Sequence, residues 1–416
     1  MNAAASRFQG ARAWLARDHG ASLIGVAAEN AFSLVGSVLV ARLLSPDARG
    51  ELARWVYWSA VALGVGTLGM TSALPQLVGG GRLTLDAVRR LLPTLALGLV
   101  LVAIAAGTVL APTACPTGPC AAGWRWMLYC GVPGGILGAL GAGVLVAASR
   151  IKVLMVTRAL AAAGRVGAIA ALLIVGVRDA TATAIAFALP MGAAGVTLLA
   201  ATHPSLRPPA RGALVTALGR GMAVHAPALA AIGLTMANQG WVYSRLPSDA
   251  GGLYAVAAGA AATLQVLSLA ELTASTVPMA HPQSGWRAVR TALWRTSSWS
   301  VAGVVAGAVA APIAVPLIYG APYAPAVVPF CILLAANGAE NVARVGQSAL
   351  QSRGHPKTAW VIDVVRAATL GACMLGFAVR GGIAAVAWAT LASQAAGAGV
   401  GLLLLRFARR RSSVVA

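Results

Sequence analysis

The chain has 416 residues, of which 59% are hydrophobic and 10% are charged, and its mean hydropathy is +0.80. A soluble domain of this composition would expose a large apolar surface to water, so the composition excludes soluble classes and indicates a polytopic membrane protein. The formal net charge of +21 would suit a nucleic-acid partner. However, the basic residues are scattered between apolar runs and form no continuous stripe, so we expect no nucleic acid to bind.

The first 20 residues form a basic amphipathic stretch, with Arg7, Arg12 and Arg17 interleaved with Phe8 and Trp14. This pattern is typical of a segment at the membrane surface. The apolar run that follows is too long for a signal-peptide core, so we expect it to be retained as the first membrane-spanning helix.

Apolar stretches of about 20 residues predict an all-α protein with twelve transmembrane helices. The first six stretches begin near Ala21, Trp55, Leu91, Trp126, Met155 and Thr181, and the second six near Gly221, Gly251, Ser297, Ala326, Ala359 and Ile383. A Pro-rich basic stretch, HPSLRPPARG, separates the two sets. The predicted order is a cytoplasmic lead-in (1–20), a six-helix N-lobe (21–202), a cytoplasmic linker (203–220), a six-helix C-lobe (221–406) and a basic cytoplasmic tail (407–416).

A repeated turn indicates that the two lobes are duplicated halves. ARLLSPDARGEL (Ala41–Leu52) and RLPSDAGGLY (Arg245–Tyr254) share an Arg-Leu pair, a Ser/Pro/Asp turn and a glycine, and their arginines are 203 positions apart. Ser149-Arg150 and Ser352-Arg353 repeat at the same offset. Two anchors at one spacing predict pseudo-symmetric lobes. Arg42 and Arg245 then occupy equivalent places, as candidates for the outer rim of a cavity.

The distribution of Lys and Arg predicts the orientation. With the N-terminus inside, 21 of these residues lie in predicted inner segments and seven in outer segments, which places both termini in the cytoplasm. The same count places Cys115 and Cys120 in an outer loop around Pro-Thr-Gly-Pro. A disulfide between them and two free thiols both remain open.

Ionisable groups inside a bilayer cost about 3 kcal/mol each on insertion scales unless they face a cavity or a partner, so they are candidate site residues. Glu29 lies beside Asn30 in the first predicted span, and Arg165 lies near the middle of the fifth. One interpretation is a water-filled cavity in which Arg165 receives an anionic group. The other is a structural ion pair between Glu29 and Arg165.

The tenth predicted span carries a polar face at helical spacing, and the seventh has a polar end. These candidates are Asn337, Glu340 and Arg344 in the tenth span and Asn238, Gln239, Tyr243 and Arg245 in the seventh. Glu340 and Arg344 are four residues apart, and Asp363 and Arg366 are three apart, so each pair has the spacing of an internal salt bridge.

Several catalytic signatures are missing from the sequence. It has no G-x-x-x-x-G-K-[ST] loop for ATP, no Cys/His cluster with metal-ligand spacing, and no cluster of acids and histidines in the outer loops. We therefore expect a transporter that is not an enzyme and that needs no cofactor.

The chain resembles the multidrug/oligosaccharidyl-lipid/polysaccharide (MOP) exporter superfamily, on the branch of the bacterial (Wzx-like) flippases for lipid-linked oligosaccharides. The resemblance rests on ARLLSPDARGEL with LGVGTLGMTSALPQLVGGG after it, on SRLPSDAGGLYAVAAGAAATL, and on LIYGAPYAPAVVPFCILLAAN running to LQSRGHPK. It implies two six-helix lobes around a cavity that opens alternately to either side. It also implies that the cavity is faced or bordered by Glu29, Asn30, Arg42, Arg165, Asn238, Gln239, Tyr243 and Arg245.

This resemblance implies a flippase in the bacterial cytoplasmic membrane that carries an undecaprenyl-diphosphate-linked glycan for surface polysaccharide assembly, with membrane lipids, a polysaccharide polymerase or glycosyltransferases as partners. The alternative is a cation-coupled exporter of small amphipathic molecules, which needs a titrating carboxylate such as Glu29 or Glu340. The family often has an acidic residue near the middle of the seventh span, where this chain reads TMANQGWVY. The carboxylate that would couple transport to a cation is therefore missing from its usual place in that lobe. The peptidoglycan-precursor flippase of the superfamily is similar too, but usually has two further spans.

Overall fold

The structure is a computed structural model, which describes residues 25, 27–79, 81–115, 122–209, 212–266, 271–272, 275, 279, 285–353, 355–378 and 381–414. Over these residues the chain is almost entirely helical. The helices are α1 (27–43), α2 (Pro46–Thr67), α3 (Met70–Gly79), α4 (Leu85–Ala114), α5 (Ala122–Trp126), α6 (Val132–Ala147), α7 (Ile151–Val175), α8 (Ala180–Ala200), α9 (Ala213–Arg245), α10 (Ser248–Ala261), α11 (Gly285–Tyr319), α12 (Val327–Ser352), α13 (Pro356–Cys373) and α14 (Gly382–Val414).

The described residues also include four short segments of π or 3₁₀ helix that adjoin these α-helices. A π-helical turn, Met127–Gly131, joins α5 to α6, and another, Met374–Ala378, follows α13. Turns of 3₁₀ helix follow α10 at Ala262–Leu264 and precede α12 at Ala321–Ala326. The all-α fold class is therefore confirmed for the described residues.

Eight helical stretches in the described part of the chain are long and apolar enough to cross a membrane. They are Leu85–Ala114, Ala122–Ala147, Ile151–Val175, Ala180–Ala200, Gly285–Tyr319, Ala321–Ser352, Lys357–Gly376 and Gly382–Arg410. Large apolar side chains such as Val109, Ile174 and Val309 are exposed on them, as a lipid environment requires. A multi-pass membrane protein is thus supported, while the count of twelve spans and the orientation of the termini stay predictions.

Local chemistry fixes where the helices begin and end. Thr84 Oγ1 accepts a hydrogen bond from the Ala87 amide at 3.2 Å and caps α4, and Asp179 Oδ2 accepts from the Ala182 amide at 2.8 Å and caps α8.

The second predicted span departs from one continuous helix. It breaks into α2 and α3 at Leu68 and Gly69, whose φ angles of 43° and 69° are left-handed.

The chain divides into two compact units. Unit 1 contains the described residues up to Leu43 together with Arg54–Ala230, and unit 2 contains Leu44–Ala53 together with Ala231–Ala416. The boundary falls inside α9, which begins at Ala213 and so includes the last part of the predicted linker. The predicted lobes and linker remain predictions.

In unit 1, α6 packs closely against α8 through glycines. A Cβ at Gly141 would lie 2.7 Å from the carbonyl carbon of Leu198, and a Cβ at Gly134 would overlap the backbone of Gly192. Small residues at four-residue spacing allow this approach in lipid. The glycine-rich face of α6 also borders a cavity, described below.

In unit 2, α12 packs against α10, α11, α13 and α14. Its buried residues Ala343, Val345 and Leu350 belong to a cluster with Ile362 of α13 and Leu405 of α14. The segment Leu44–Ala53 is held to this unit by the Tyr323 hydroxyl, which donates to the Leu44 carbonyl at 3.0 Å. Because α12 has neighbours on several sides, its polar face points into protein.

Candidate functional site

Unit 1 contains a cavity of about 370 Å³. Its charged walls are Glu29 of α1 and Arg158 and Arg165 of α7. The remaining wall combines the glycine-rich face of α6 with apolar and aromatic side chains of α8, including Phe187. Because glycines expose backbone and leave space beside it, this wall gives room for a ligand next to the charged groups.

Arg165 is held in place by uncharged contacts. Its Nη2 donates to Ser33 Oγ at 3.1 Å, and its guanidinium carbon lies 5.2 Å from the centre of the Phe187 ring, within cation–π range. Glu29 Oε2 instead lies 3.9 Å from Arg158 Nη1, and about 40% of each of these two side chains is exposed. The geometry therefore does not show the structural Glu29–Arg165 pair, and among the described residues no carboxylate forms a salt bridge with Arg165.

The walls of this cavity carry two guanidinium groups against one carboxylate. This balance favours an anionic ligand, because guanidinium groups form strong charge-assisted hydrogen bonds with phosphates. Arg158 was not among the predicted site residues, because it was one of the 21 basic residues counted as inner for the orientation. In the structure α7 begins at Ile151, and Arg158 and Arg165 are seven residues apart, so they lie on one face. That spacing is a signal that the sequence already contained.

Unit 2 contains a second cavity, of about 200 Å³, with polar walls from α9, α10, α12, α13 and α14. Its polar lining residues are Asn238, Gln239, Tyr254, Gln265, Asn337, Glu340, Arg344, Arg366, Thr390, Ser393 and Gln394. Five of the predicted site residues, namely Asn238, Gln239, Asn337, Glu340 and Arg344, therefore line one cavity.

Glu340 is at the centre of the ionic network of this cavity and is only 4% exposed. Its carboxylate accepts hydrogen bonds from Arg344 Nη2 at 2.8 Å and from Gln265 Nε2 at 3.0 Å, and it lies 3.6 Å from Arg366 Nη2. Arg366 Nη1 in turn donates to Asp363 Oδ1 at 3.2 Å. Both ion pairs expected from spacing are present. The contact of Arg366 with Glu340 links them into one network with two positive and two negative groups.

Neutral polar groups line the rest of the cavity. Asn238 Nδ2 donates to Thr390 Oγ1 at 2.8 Å and to the Tyr254 hydroxyl at 3.2 Å, while its Oδ1 accepts from the Gln239 amide. Gln394 is 5% exposed, and its Oε1 has no hydrogen-bond partner among the described residues. Tyr254, Thr390 and Gln394 were not predicted. Thr390 and Gln394 are four residues apart and share one face of α14 with Ser393, a polar signal that the sequence already contained.

The other predicted residues lie elsewhere. Asn30, Arg42 and Arg245 are exposed and line neither cavity, and Tyr243 is buried with its ring against Gly251. The choice between a Cys115–Cys120 disulfide and two free thiols stays open, because Cys120 lies outside the described residues.

No protein-family model matches the chain, and no curated protein sequence matches it. Solved structures do match. The lipid II flippase MurJ in an inward closed conformation has a TM-score of 0.74 at 12% identity, over 92% of this chain and 87% of that chain. An inward-facing multidrug resistance MATE family transporter of the MOP superfamily has a TM-score of 0.68 at 14% identity, over 93% and 95%. A MOP superfamily transporter from Pyrococcus furiosus has a TM-score of 0.64 at 15% identity, over 96% and 95%. The chain therefore has the fold of the MOP superfamily transporters.

Proposed function

We propose that the protein is an alternating-access transporter that moves an undecaprenyl-diphosphate-linked oligosaccharide across the bacterial cytoplasmic membrane, with both of its termini in the cytoplasm. The main support is the unit 1 cavity, where two guanidinium groups face one carboxylate and Arg165 forms no salt bridge with any residue that the structure describes. A diphosphate and a sugar cannot cross hydrocarbon unaided. A basic cavity can receive the phosphates while the prenyl chain stays in lipid.

The structural neighbours are described as a flippase and as transporters, which is the general class of function proposed here. One of them is described as a lipid II flippase, and others as multidrug transporters of the same superfamily. The neighbour from Pyrococcus furiosus is described as having a binding pocket of reverse polarity that suggests a different function. Because the polarity of the pocket differs within this fold, we take the charge of the cavity walls as the guide to the substrate.

The alternative, a cation-coupled exporter of small amphipathic molecules, needs a carboxylate that exchanges its cation during transport. Glu340 is a poor candidate, because it is held by Arg344, Gln265 and Arg366 in a charge-balanced network. Glu29 remains a candidate, at 3.9 Å from Arg158. We favour the flippase, because the net charge of the Glu29 cavity is positive and cations would be repelled.

Proteoliposomes test the proposal directly. The purified protein is reconstituted with a fluorescent polyprenyl-diphosphate trisaccharide, and movement between leaflets is followed by a membrane-impermeant quencher. We expect transfer well above that of protein-free liposomes, and loss of most of it in Arg165→Gln. Transfer no faster than in protein-free liposomes, together with export of amphipathic cations, would support the alternative. In the cell, glycosyltransferases would supply such a substrate and a polysaccharide polymerase would consume it.

A further inference from the structure

The walls of the unit 2 cavity carry two guanidinium groups and one carboxylate, as those of the unit 1 cavity do, but here every charge is paired. The second carboxylate of the network, Asp363, does not line the cavity. Glu340 lies in contact with Arg344 and Arg366, and Arg366 also pairs with Asp363, so two carboxylates compensate two guanidinium groups. An ionic ligand would have to separate one of these pairs, which is costly because Glu340 and Arg366 are both buried. A neutral ligand would leave the network intact.

The polar groups of this cavity that lack partners suit a hydroxyl. Gln394 Oε1 is a buried acceptor and Arg366 Nε a buried donor, and neither has a hydrogen-bond partner among the described residues. Both residues line the cavity. A buried polar atom without a partner costs free energy, which a ligand can recover. A hydroxyl group both donates and accepts, so it can satisfy an amide oxygen and a guanidinium N–H.

The size of the cavity limits the ligand further. Drug-sized ligands occupy pockets of about 300–1,000 Å³, whereas this cavity measures about 200 Å³. It therefore suits a single sugar ring better than a whole oligosaccharide. The side-chain amides of Gln239 and Asn337 add further donors and acceptors to its walls.

From these observations we infer that the unit 2 cavity binds one neutral, hydroxyl-rich sugar residue. The inference rests on the proposed function, because the sugar is the one carried by the lipid-linked substrate. Water is the competing occupant, since polar cavities of this size also hold ordered water. A water-filled cavity would give the transporter no preference for sugar-bearing lipids.

The test compares four fluorescent lipids in proteoliposomes: polyprenyl diphosphate without sugar, and the same lipid with a neutral monosaccharide, a neutral trisaccharide or a uronic acid. We expect the wild-type protein to transfer both neutral glycolipids faster than the sugar-free lipid. The variant Gln394→Leu should lose about tenfold in transfer of the neutral glycolipids, as expected for one lost hydrogen bond, and should transfer the sugar-free lipid normally. The matched control is Gln351→Leu, an exposed glutamine at the end of α12 that does not line the cavity.

Each result decides between the two claims. If the wild-type protein transfers none of the four lipids, the proposed function fails. If it transfers all four equally, or if Gln394→Leu keeps the wild-type preference, the function stands and the sugar site is overturned. A Gln394→Leu protein that loses all four substrates is checked with Gln394→Asn, which keeps the amide but shortens its reach. Selective loss of the neutral glycolipids in Gln394→Asn supports the site, and equal loss of all four overturns it.

Discussion

Gly50 and Gly252 occupy equivalent places in the two copies of the repeated turn, and each lies against the backbone of the other copy. A Cβ at Gly50 would overlap the carbonyl of Ser248, and a Cβ at Gly252 would overlap the carbonyl of Pro46. Pro46 and Ser248 are themselves equivalent in the repeat, so the contact is reciprocal. Since both obstacles are backbone atoms, only glycine fits at either position without a shift of one helix.

Alanine at Gly50 or at Gly252 should therefore destabilise the protein. We expect each change to cost about 1–3 kcal/mol, as overpacking of a well-packed contact does, and to lower the unfolding temperature in detergent. Gly64→Ala is the matched control in α2, because a Cβ there would meet nothing within 4 Å. It should be neutral or slightly stabilising, since alanine favours a helix more than glycine does. Equal melting temperatures for all three variants would mean that the reciprocal contact does not constrain these helices.

The repeat itself was visible in the sequence, but the contact between its copies was not. Matching turns 203 positions apart indicate duplication, whereas a tertiary contact depends on how helices pack, which no local pattern encodes. The all-α class was predictable for a simpler reason, because in lipid every backbone polar group must be satisfied within its own segment. The break at Leu68 and Gly69 was not predicted, since the apolar run continues through it.

Removal of Arg366 should be strongly destabilising. Arg366 is 6% exposed and contacts both Glu340 and Asp363, so Arg366→Ala leaves these two carboxylates with Arg344 as their one remaining guanidinium partner among the described residues. Breaking one partner of a buried ion pair costs about 3–5 kcal/mol. The control is Arg90→Ala, which removes a pair with Asp86 whose side chain is 63% exposed, and it should cost at most about 1 kcal/mol. Thermal unfolding of the two purified variants checks this difference, and similar losses would mean that the Glu340 network does not stabilise unit 2.

Removal of the negative charge and removal of a positive charge from the unit 1 cavity should change the affinity for the substrate in opposite directions. Glu29→Gln removes the one carboxylate that the described residues contribute to the cavity walls. It should tighten binding of polyprenyl diphosphate, most clearly at low ionic strength. Arg165→Gln removes a guanidinium and should weaken binding. Dissociation constants measured in nanodiscs at low and high salt test both. If both variants weaken binding to the same extent, the two residues act through the structure of the cavity and not through its charge.

The candidate site was only partly predictable. Asn337, Glu340 and Arg344 were found because they share one face of a helix, and the structure places them on one cavity wall. The sequence identified Arg366 only as the partner of Asp363, on the same helix. Its contact with Glu340 joins α13 to α12, so spacing along one helix does not predict it. Residues that meet across different helices leave no periodic signal along the chain. Intramembrane charge identified Glu29 and Arg165 for the physical reason that such charge is costly.

The exposed arginines of the repeated turn should affect the rate of substrate transfer in a salt-dependent way. Arg42 and Arg245 line neither cavity, so their charges would act on an anionic substrate at long range, by attracting it to the predicted outer rim. We expect the double variant Arg42→Ala/Arg245→Ala to transfer the fluorescent polyprenyl-diphosphate trisaccharide a few-fold more slowly at low salt and at nearly the wild-type rate at high salt, because salt screens exposed charges. Arg178→Ala, an exposed arginine between α7 and α8, is the control and should change neither rate. A double variant with unchanged transfer at low salt would show that the repeated turn serves the fold alone.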